Sequence, residues 1–395
     1  MPGMLDGLRV IELSHVMAAP TCGLMLSDMG ADVIKVERLP GGDDIRNLAP
    51  FVNGVSNPFA MMNRNKRGIA LNLRTDGGMN VLKQLILDAD VFIENYRAGA
   101  MEHYGVGYDQ VKDGNPKLIY CSVSGYGRTG PFADKGGFDL VAQGMSGLMS
   151  ITGEGAGRPP VKVGAPVTDI TAGTLAAMGI LGALVSRGRN GRGQYLDTSL
   201  FEAGIMHTYW QSSIYFGSGE VPEAMGSAHP LMAPYQAFQT QDGWINVGSA
   251  NQRLWEKLLL LLGATELAED ARFSDPNLRL ANLVDLNEIL TTHFKSDSTE
   301  NWITRLEEAG IPSGPVLDIA QMSAHPQAVA RAMVQEIDQG LQVIGHPVKY
   351  RDTPASIRRG APRLGEHTGE VLAEAGFGID DIQELVAAKA VLLAD

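Results

Sequence analysis

A chain of 395 residues with 44% apolar and 19% charged content has room for two domains and a sizeable core, which excludes disorder. Its 32 basic and 45 acidic residues leave a net charge of −13, which excludes non-specific nucleic-acid binding and requires a local basic patch for any anionic ligand. Cys22 and Cys121 lie far apart with no metal-type spacing and read as two reduced, buried thiols.

The opening segment, MPGMLDGLRVIEL, has no basic region followed by an apolar core and a cleavage site, and the longest apolar run, inside Gly173 to Val185, is too short for a bilayer. The expected location is the cytoplasm. Leu8 to Leu13 reads as a strand, SHVMAAPTCG as a turn into a helix, and Ala31 to Glu37 as a second strand, together a βαβ unit. Strands near Ile69 to Leu73, Val91 to Asn95 and Leu118 to Val123 alternate with helices such as Gly78 to Leu87. That alternation predicts an α/β fold with a doubly wound parallel sheet.

Glu37 ends the second strand where the ribose-binding acid of a nicotinamide site would stand, but Ser14 to Pro20 replaces the glycine fingerprint such a site needs. Arg38, Arg64, Lys66, Arg67, Arg74 and Arg97 gather at strand ends or in loops. They read either as an anion patch or as solvated loops. From Gly125 to Gly173 the chain is rich in glycine, which lets backbone lie close to a ligand.

Val163 to Arg187 delivers one acid, Asp169, to the mouth of a helix with Ala172, Ala176, Gly179 and Ala183 on one face. On these residues alone Asp169 is either a helix cap or a nucleophile. GRNGRGQYLDTSLFEAG turns the chain into another helix through His207 and Trp210, and 212–225 reads as a linker. Pro234 to Ala250 predicts a hairpin turning at Asp242 and Gly243, and Asn251 caps a helix carrying Trp255, Leu258, Leu259 and Leu262. Helices follow over Asn282 to Phe294 and Thr299 to Ala309. The tail has a strand-like HPVKYRD and an amphipathic helix from Ile379.

Taken together, DGLRVIEL, SHVMAAP, LSDMGADVIKVE, NKRGIALNLR, ENYRAGAMEHYG, LIYCSVSGYGRTGP, FDLVAQGMSG, GAPVTDITAG, GRGQYLDTSL, APYQAFQTQDG, GIPSGPV and LGEHT resemble, in order and almost end to end, the family III CoA-transferases. That group includes formyl-CoA and carnitine CoA-transferases and, as a divergent branch, the α-methylacyl-CoA racemases. The resemblance implies a Rossmann-like large domain over 1–211 completed by 340–395, a smaller α+β domain over 226–325, linkers at 212–225 and 326–339, and an interlocked homodimer. It also implies that Asp169 is the catalytic nucleophile; such an acid has to be ionised, so its pKa should not be pushed far up by burial, and N–H groups at the helix start are expected to hold the anion.

The activity so implied is transfer of CoA from an acyl-CoA, such as succinyl-CoA, to a small carboxylic acid, with CoA as substrate and no tightly bound cofactor or metal. His15, Val16, Ala18, Arg38, Leu71, Arg74, Asn95, Tyr96 and Ala100 match CoA-contacting positions, with Arg38 and Arg74 facing phosphates. Phe138 and Asp139 match positions beside the pantetheine arm. His103 stands where several relatives carry arginine, and Lys135 is offset by one from a family lysine. Met17, near the acyl group, replaces the glutamine of formyl-CoA transferases, and the segment Gly226 to His229 replaces their glycine-run loop; both departures point away from oxalate and formate. The racemase branch carries a histidine where this chain has Phe138, which favours transfer.

Overall fold

Strand and helix alternate from the start because short apolar runs, buried on both faces as parallel strands are, give way to stretches of helical period. In the computed structural model, which describes residues 3–394, β1 (Arg9–Leu13) leads through α1 (Ala18–Asp28) to β2 (Asp32–Arg38). Next come α2 (Asn57–Asn63), β3 (Arg67–Leu71), α3 (Asp76–Leu87), β4 (Val91–Glu94) and β5 (Ile119–Ser124). After them α4 (Asp139–Met145) and α5 (Val167–Asn190) precede β6 (Tyr195–Ser199).

The main sheet has seven strands in the order Val391–Leu392, β3, β2, β1, β4, β5, β6. All neighbours are parallel except the C-terminal strand, which runs antiparallel to β3 with Val391 opposite Leu71. The strand order reverses between β1 and β4, so a crevice for ligands lies at their carboxyl ends. Alternation divides the core. Val10, Val33, Val91 and Cys121 pack with Ala19 of α1 and Ala176 of α5, whereas Ile11, Ile34, Phe92 and Tyr120 pack with Leu82 of α3 and with Val371 near the C-terminus.

Helix α5 has 24 residues and is apolar enough to cross a membrane by length and composition, which corrects the short run read from the sequence. Its small residues Ala172, Ala176 and Ala183 are nevertheless buried in the sheet core. The fold thus uses it as a packing helix.

Two compact units emerge: Met1–Leu148, Val163–His207 and Pro326–Asp395 form one, and Met149–Lys162 with Thr208–His325 the other. A helix, Tyr209–Ser218, occupies much of the stretch read as the first linker, and Pro326–Ala330 and Val334–Ile337 give the second regular structure. HPVKYRD forms no strand; Pro347 removes a ladder donor, Lys349 bonds back to the His346 carbonyl, and the strands lie earlier, at Val334–Ile337 and Leu341–Ile344. In the second unit the expected hairpin pairs Tyr235–Gln239 with Trp244–Gly248, and Asn251 caps the helix Gln252–Leu262 through the Leu254 N–H. Phe238, Ile245, Trp255, Phe294 and Trp302 fill that unit's core.

Candidate active site

The loop that leaves β1 is locked across the sheet reversal. Asn95, just past β4, accepts the His15 N–H at 3.0 Å and donates to the His15 carbonyl at 2.9 Å. Val16 follows in the left-handed region, φ 64°, and its N–H donates to Asp43 Oδ1 at 3.1 Å. The Tyr96 ring meets His15 edge-on at 5.2 Å between centroids. Burial lowers the pKa of His15 and pushes that of the Tyr96 phenol up to about 12. His15, Val16, Asn95 and Tyr96 are therefore brought together, and Ala18 opens α1 beside them.

Asp169 sits three residues inside α5, not at its cap: Pro166 holds the cap position and offers no side-chain hydrogen bond. The first-turn donors are served instead by Asp139, whose Oδ1 accepts from the Thr168 N–H at 3.0 Å and the Thr168 hydroxyl at 2.7 Å. Gln143 donates to Asp139 Oδ2 at 2.8 Å and holds that carboxylate in place. The loop before α4 can reach there because Gly137 and Gly125 approach back to back; a Cβ on Gly125 would lie 2.6 Å from the Gly137 Cα.

One turn beyond Asp169, on the same helix face, Gly173 abuts the first turn of α1: a Cβ there would lie 2.3 Å from the Ala18 carbonyl oxygen. This contact packs the helix turn that follows Asp169 against the start of α1. Among the described residues no hydrogen bond reaches the Asp169 carboxyl, and burial, followed by the charge of Asp139, pushes its pKa up to about 6. The expectation that N–H groups at the helix start steady this acid, with cap and nucleophile combined, is thereby corrected.

The remaining candidates divide by exposure. Arg38 and Arg74 are exposed at the ends of β2 and β3; Arg38 is paired with Asp44 at 2.5 Å, whereas the Arg74 guanidinium has no partner among the described residues. Leu71 is 0% exposed, and its carbonyl accepts the Leu39 N–H. Ala100 begins a short helix ending at His103, which is exposed beside Tyr104. Lys135 is occupied over the Phe132 ring at 3.6 Å. Phe138 is 77% exposed, and Met17 packs toward the small cluster of Leu24, Ile45, Phe59 and Met62.

In the second unit the Gly226 N–H donates to the Gly153 carbonyl, and His229 lies edge-on to both Trp210 and Tyr235 with Nδ1 accepting the Leu231 N–H.

The basic cluster does not form one patch. Arg64 pairs with Asp28 inside the fold, Lys66 with Glu12, and Arg67 with Asp32, Glu370 and Glu374. Glu37 is likewise internal, held by Arg46. Reading the sequence by residue class missed Asp43, Lys35 and Gln143. The signal available for Lys35 was a lysine flanked by Val33, Ile34 and Val36 in the second strand, on the same face as Glu12 in the first.

The sequence profile of CoA-transferase family III matches residues 5–368. A succinate–glutarate CoA-transferase of Agrobacterium fabrum is 39% identical, over 94% of this chain and 95% of the relative. An acetyl-CoA:oxalate CoA-transferase of Acetobacter aceti is 37% identical, over 92% and 94% respectively. The crystal structure of a CAIB/BAIF family protein from Brucella suis superimposes with a TM-score of 0.86 at 38% identity, covering 95% of this chain and all of that one. With the reversed sheet, the loop at its switch point and the half-buried acid on α5, these matches show that the chain belongs to CoA-transferase family III and moves CoA between an acyl-CoA and a carboxylic acid.

Proposed function

We propose that Asp169 carries the transfer. Its carboxylate attacks the donor thioester carbonyl, giving an aspartyl–acyl anhydride and releasing CoA thiolate. The thiolate attacks the aspartyl carbonyl, expels the donor acid as carboxylate and leaves an aspartyl–CoA thioester. The acceptor carboxylate then attacks that thioester and frees the thiolate. The thiolate returns to the acceptor's carbonyl, which completes the new acyl-CoA and restores Asp169. No proton is consumed in the cycle, so no general acid is required.

The observation that carries this reading is the setting of Asp169: one turn ahead of the Gly173–Ala18 contact, half-buried, and free of hydrogen bonds among the described residues. A carboxylate stripped of donors is a stronger nucleophile than a capping one, and with a pKa of about 6 it is still mostly ionised at neutral pH. CoA enters and leaves as substrate, with no resident cofactor, and Arg38 and Arg74 meet its phosphates at the strand ends. Racemisation would need a proton-transfer group where the exposed Phe138 stands.

Dicarboxylates are the first acids to test, with succinyl-CoA as donor, because the relatives' names include succinate and glutarate. Oxalate belongs in the same panel as the shortest member, since the relative named for it matches about as well. The buried, unpaired Cys22 and Cys121 suit a reducing cytoplasm. Self-association is supported by the exposed apolar side chains Tyr209, Trp210 and Phe216 on one helix and Met178 and Val185 on another.

The test is chemical trapping. Incubation with acyl-CoA followed by borohydride should modify Asp169, read by peptide mass spectrometry, and Asp169→Ala should fold and bind CoA without turnover. Wild-type turnover by that variant refutes the assignment.

A further inference from the structure

Beneath the locked loop lies a chain of four buried charges. Glu12 on β1, Lys35 on β2 and Lys66 just before β3 are completely buried, and Asp43 nearly so. Lys66 Nζ lies 2.8 Å from Glu12 Oε2 and also donates to the Pro20 carbonyl and Asn63 Oδ1, each at 3.0 Å. Lys35 Nζ lies 3.4 Å from Glu12 Oε1 and 2.9 Å from Asp43 Oδ2, and donates to the Ser14 carbonyl at 3.1 Å. Asp43 Oδ1 then accepts the N–H groups of Val16 and Ile45. Gly23 of α1 makes room for this chain, since a Cβ there would collide with the Glu12 carboxylate.

Stability is a poor reason for such an arrangement. Taking charges out of water costs more than their mutual attraction commonly returns, and apolar residues of similar volume often serve a core equally well. The place where the charges end is more informative. Ser14 and Val16 are both held by them, and Val16 adopts a left-handed backbone that a β-branched residue avoids unless its surroundings impose it.

We infer that Asp43 and Lys35 are positioning residues for CoA transfer: they fix the Ser14–Met17 loop that leads into α1, against whose start the turn following Asp169 packs. This rests on the reading of Asp169 as nucleophile. Neither residue touches substrate; each acts through the backbone of Ser14 or Val16.

The test separates the hydrogen bonds that Asp43 accepts from the Val16 and Ile45 N–H groups from the charges. In a Lys35→Met background, Asp43→Asn and Asp43→Ala are both neutral, so each leaves Glu12 and Lys66 as a balanced pair. Only the asparagine retains an oxygen for the Val16 N–H. The expected result is a kcat roughly tenfold lower for the alanine than for the asparagine double variant, with CoA affinity nearly equal in the two. Equal kcat in the two variants overturns the inference. Hydrogen exchange on the unmodified protein gives an independent reading that survives failure of either variant to fold. The Val16 amide should exchange slowly although its side chain is exposed, and exchange at the free-loop rate overturns the inference. Wild-type turnover by Asp169→Ala would refute the reading of Asp169, while amide exchange would still decide how the loop is held.

Discussion

Replacing Asp169 by asparagine should make the protein more stable at neutral pH and leave it unchanged in acid. The folded carboxyl titrates at about 6 because it is half-buried and near Asp139, against about 3.9 for an unfolded chain. A group whose folded pKa is raised contributes its full stability below the unfolded value and loses it as pH climbs through the folded one. The gap of about two pH units corresponds to about 3 kcal/mol, an upper bound because solvent reaches part of the side chain. Wild type should lose that stability between about pH 4 and pH 6, whereas asparagine, which carries no charge, should not. The variant's advantage should therefore be near zero at pH 4 and about 1–3 kcal/mol at pH 7.5. Trp210, Trp244, Trp255 and Trp302 all lie in the second unit, so tryptophan emission reports that unit. Denaturant-dependent hydrogen exchange across α5 reports the first. A difference between variant and wild type that is the same at pH 4 and 7.5 would refute the argument that ionised Asp169 is held at a cost.

Three further outcomes follow from the same geometry. Asp139→Asn removes the charge that helps raise the Asp169 pKa, so the acid limb of kcat/KM should move to lower pH; an unmoved limb means burial acts alone. Arg74→Ala should weaken CoA binding roughly tenfold, and Arg38→Ala less, because Arg38 must first exchange its Asp44 partner; calorimetric titration showing the reverse order would place the phosphates at Arg38. Gly173→Ala forces a methyl against the Ala18 carbonyl, and should cost about 1–3 kcal/mol of stability with a larger loss of kcat than of CoA affinity; a variant with wild-type kcat would separate Asp169 from the α1 contact.

The sheet was legible in the sequence because buried strands announce themselves as short apolar runs, and the expected bounds of β1 to β5 fall within two residues of those found. The C-terminal strand was not, since Val391 and Leu392 form a pair too short to carry any periodicity, and only the edge of β3 makes them a strand. Asp169 and the Val16 loop were recognisable as candidates from the resemblance of whole segments. Their electrostatics were not. A string of basic letters looks the same whether it faces solvent, as Arg74 does, or pairs inside the fold, as Arg64 and Lys66 do. Which of these holds depends on partners distant in sequence, and Asp28 and Glu12 carry no local mark of that pairing.

The division of labour between the two acids follows from what each task requires. A carboxylate that caps a helix receives N–H donors, and those donors lower its pKa and hold its lone pairs. Such an acid is steady but unreactive. Asp139 fills that role, binding the Thr168 N–H and hydroxyl and itself held by Gln143. With the first turn so served, Asp169 can stand two positions past the start of the helix with its oxygens uncommitted. Its raised pKa is the cost of that freedom and, in the proposed mechanism, the source of its nucleophilicity. By taking the cap, Asp139 leaves the second acid without donors, and by its charge it helps to raise that acid's pKa, which is what the proposed mechanism asks of a nucleophile.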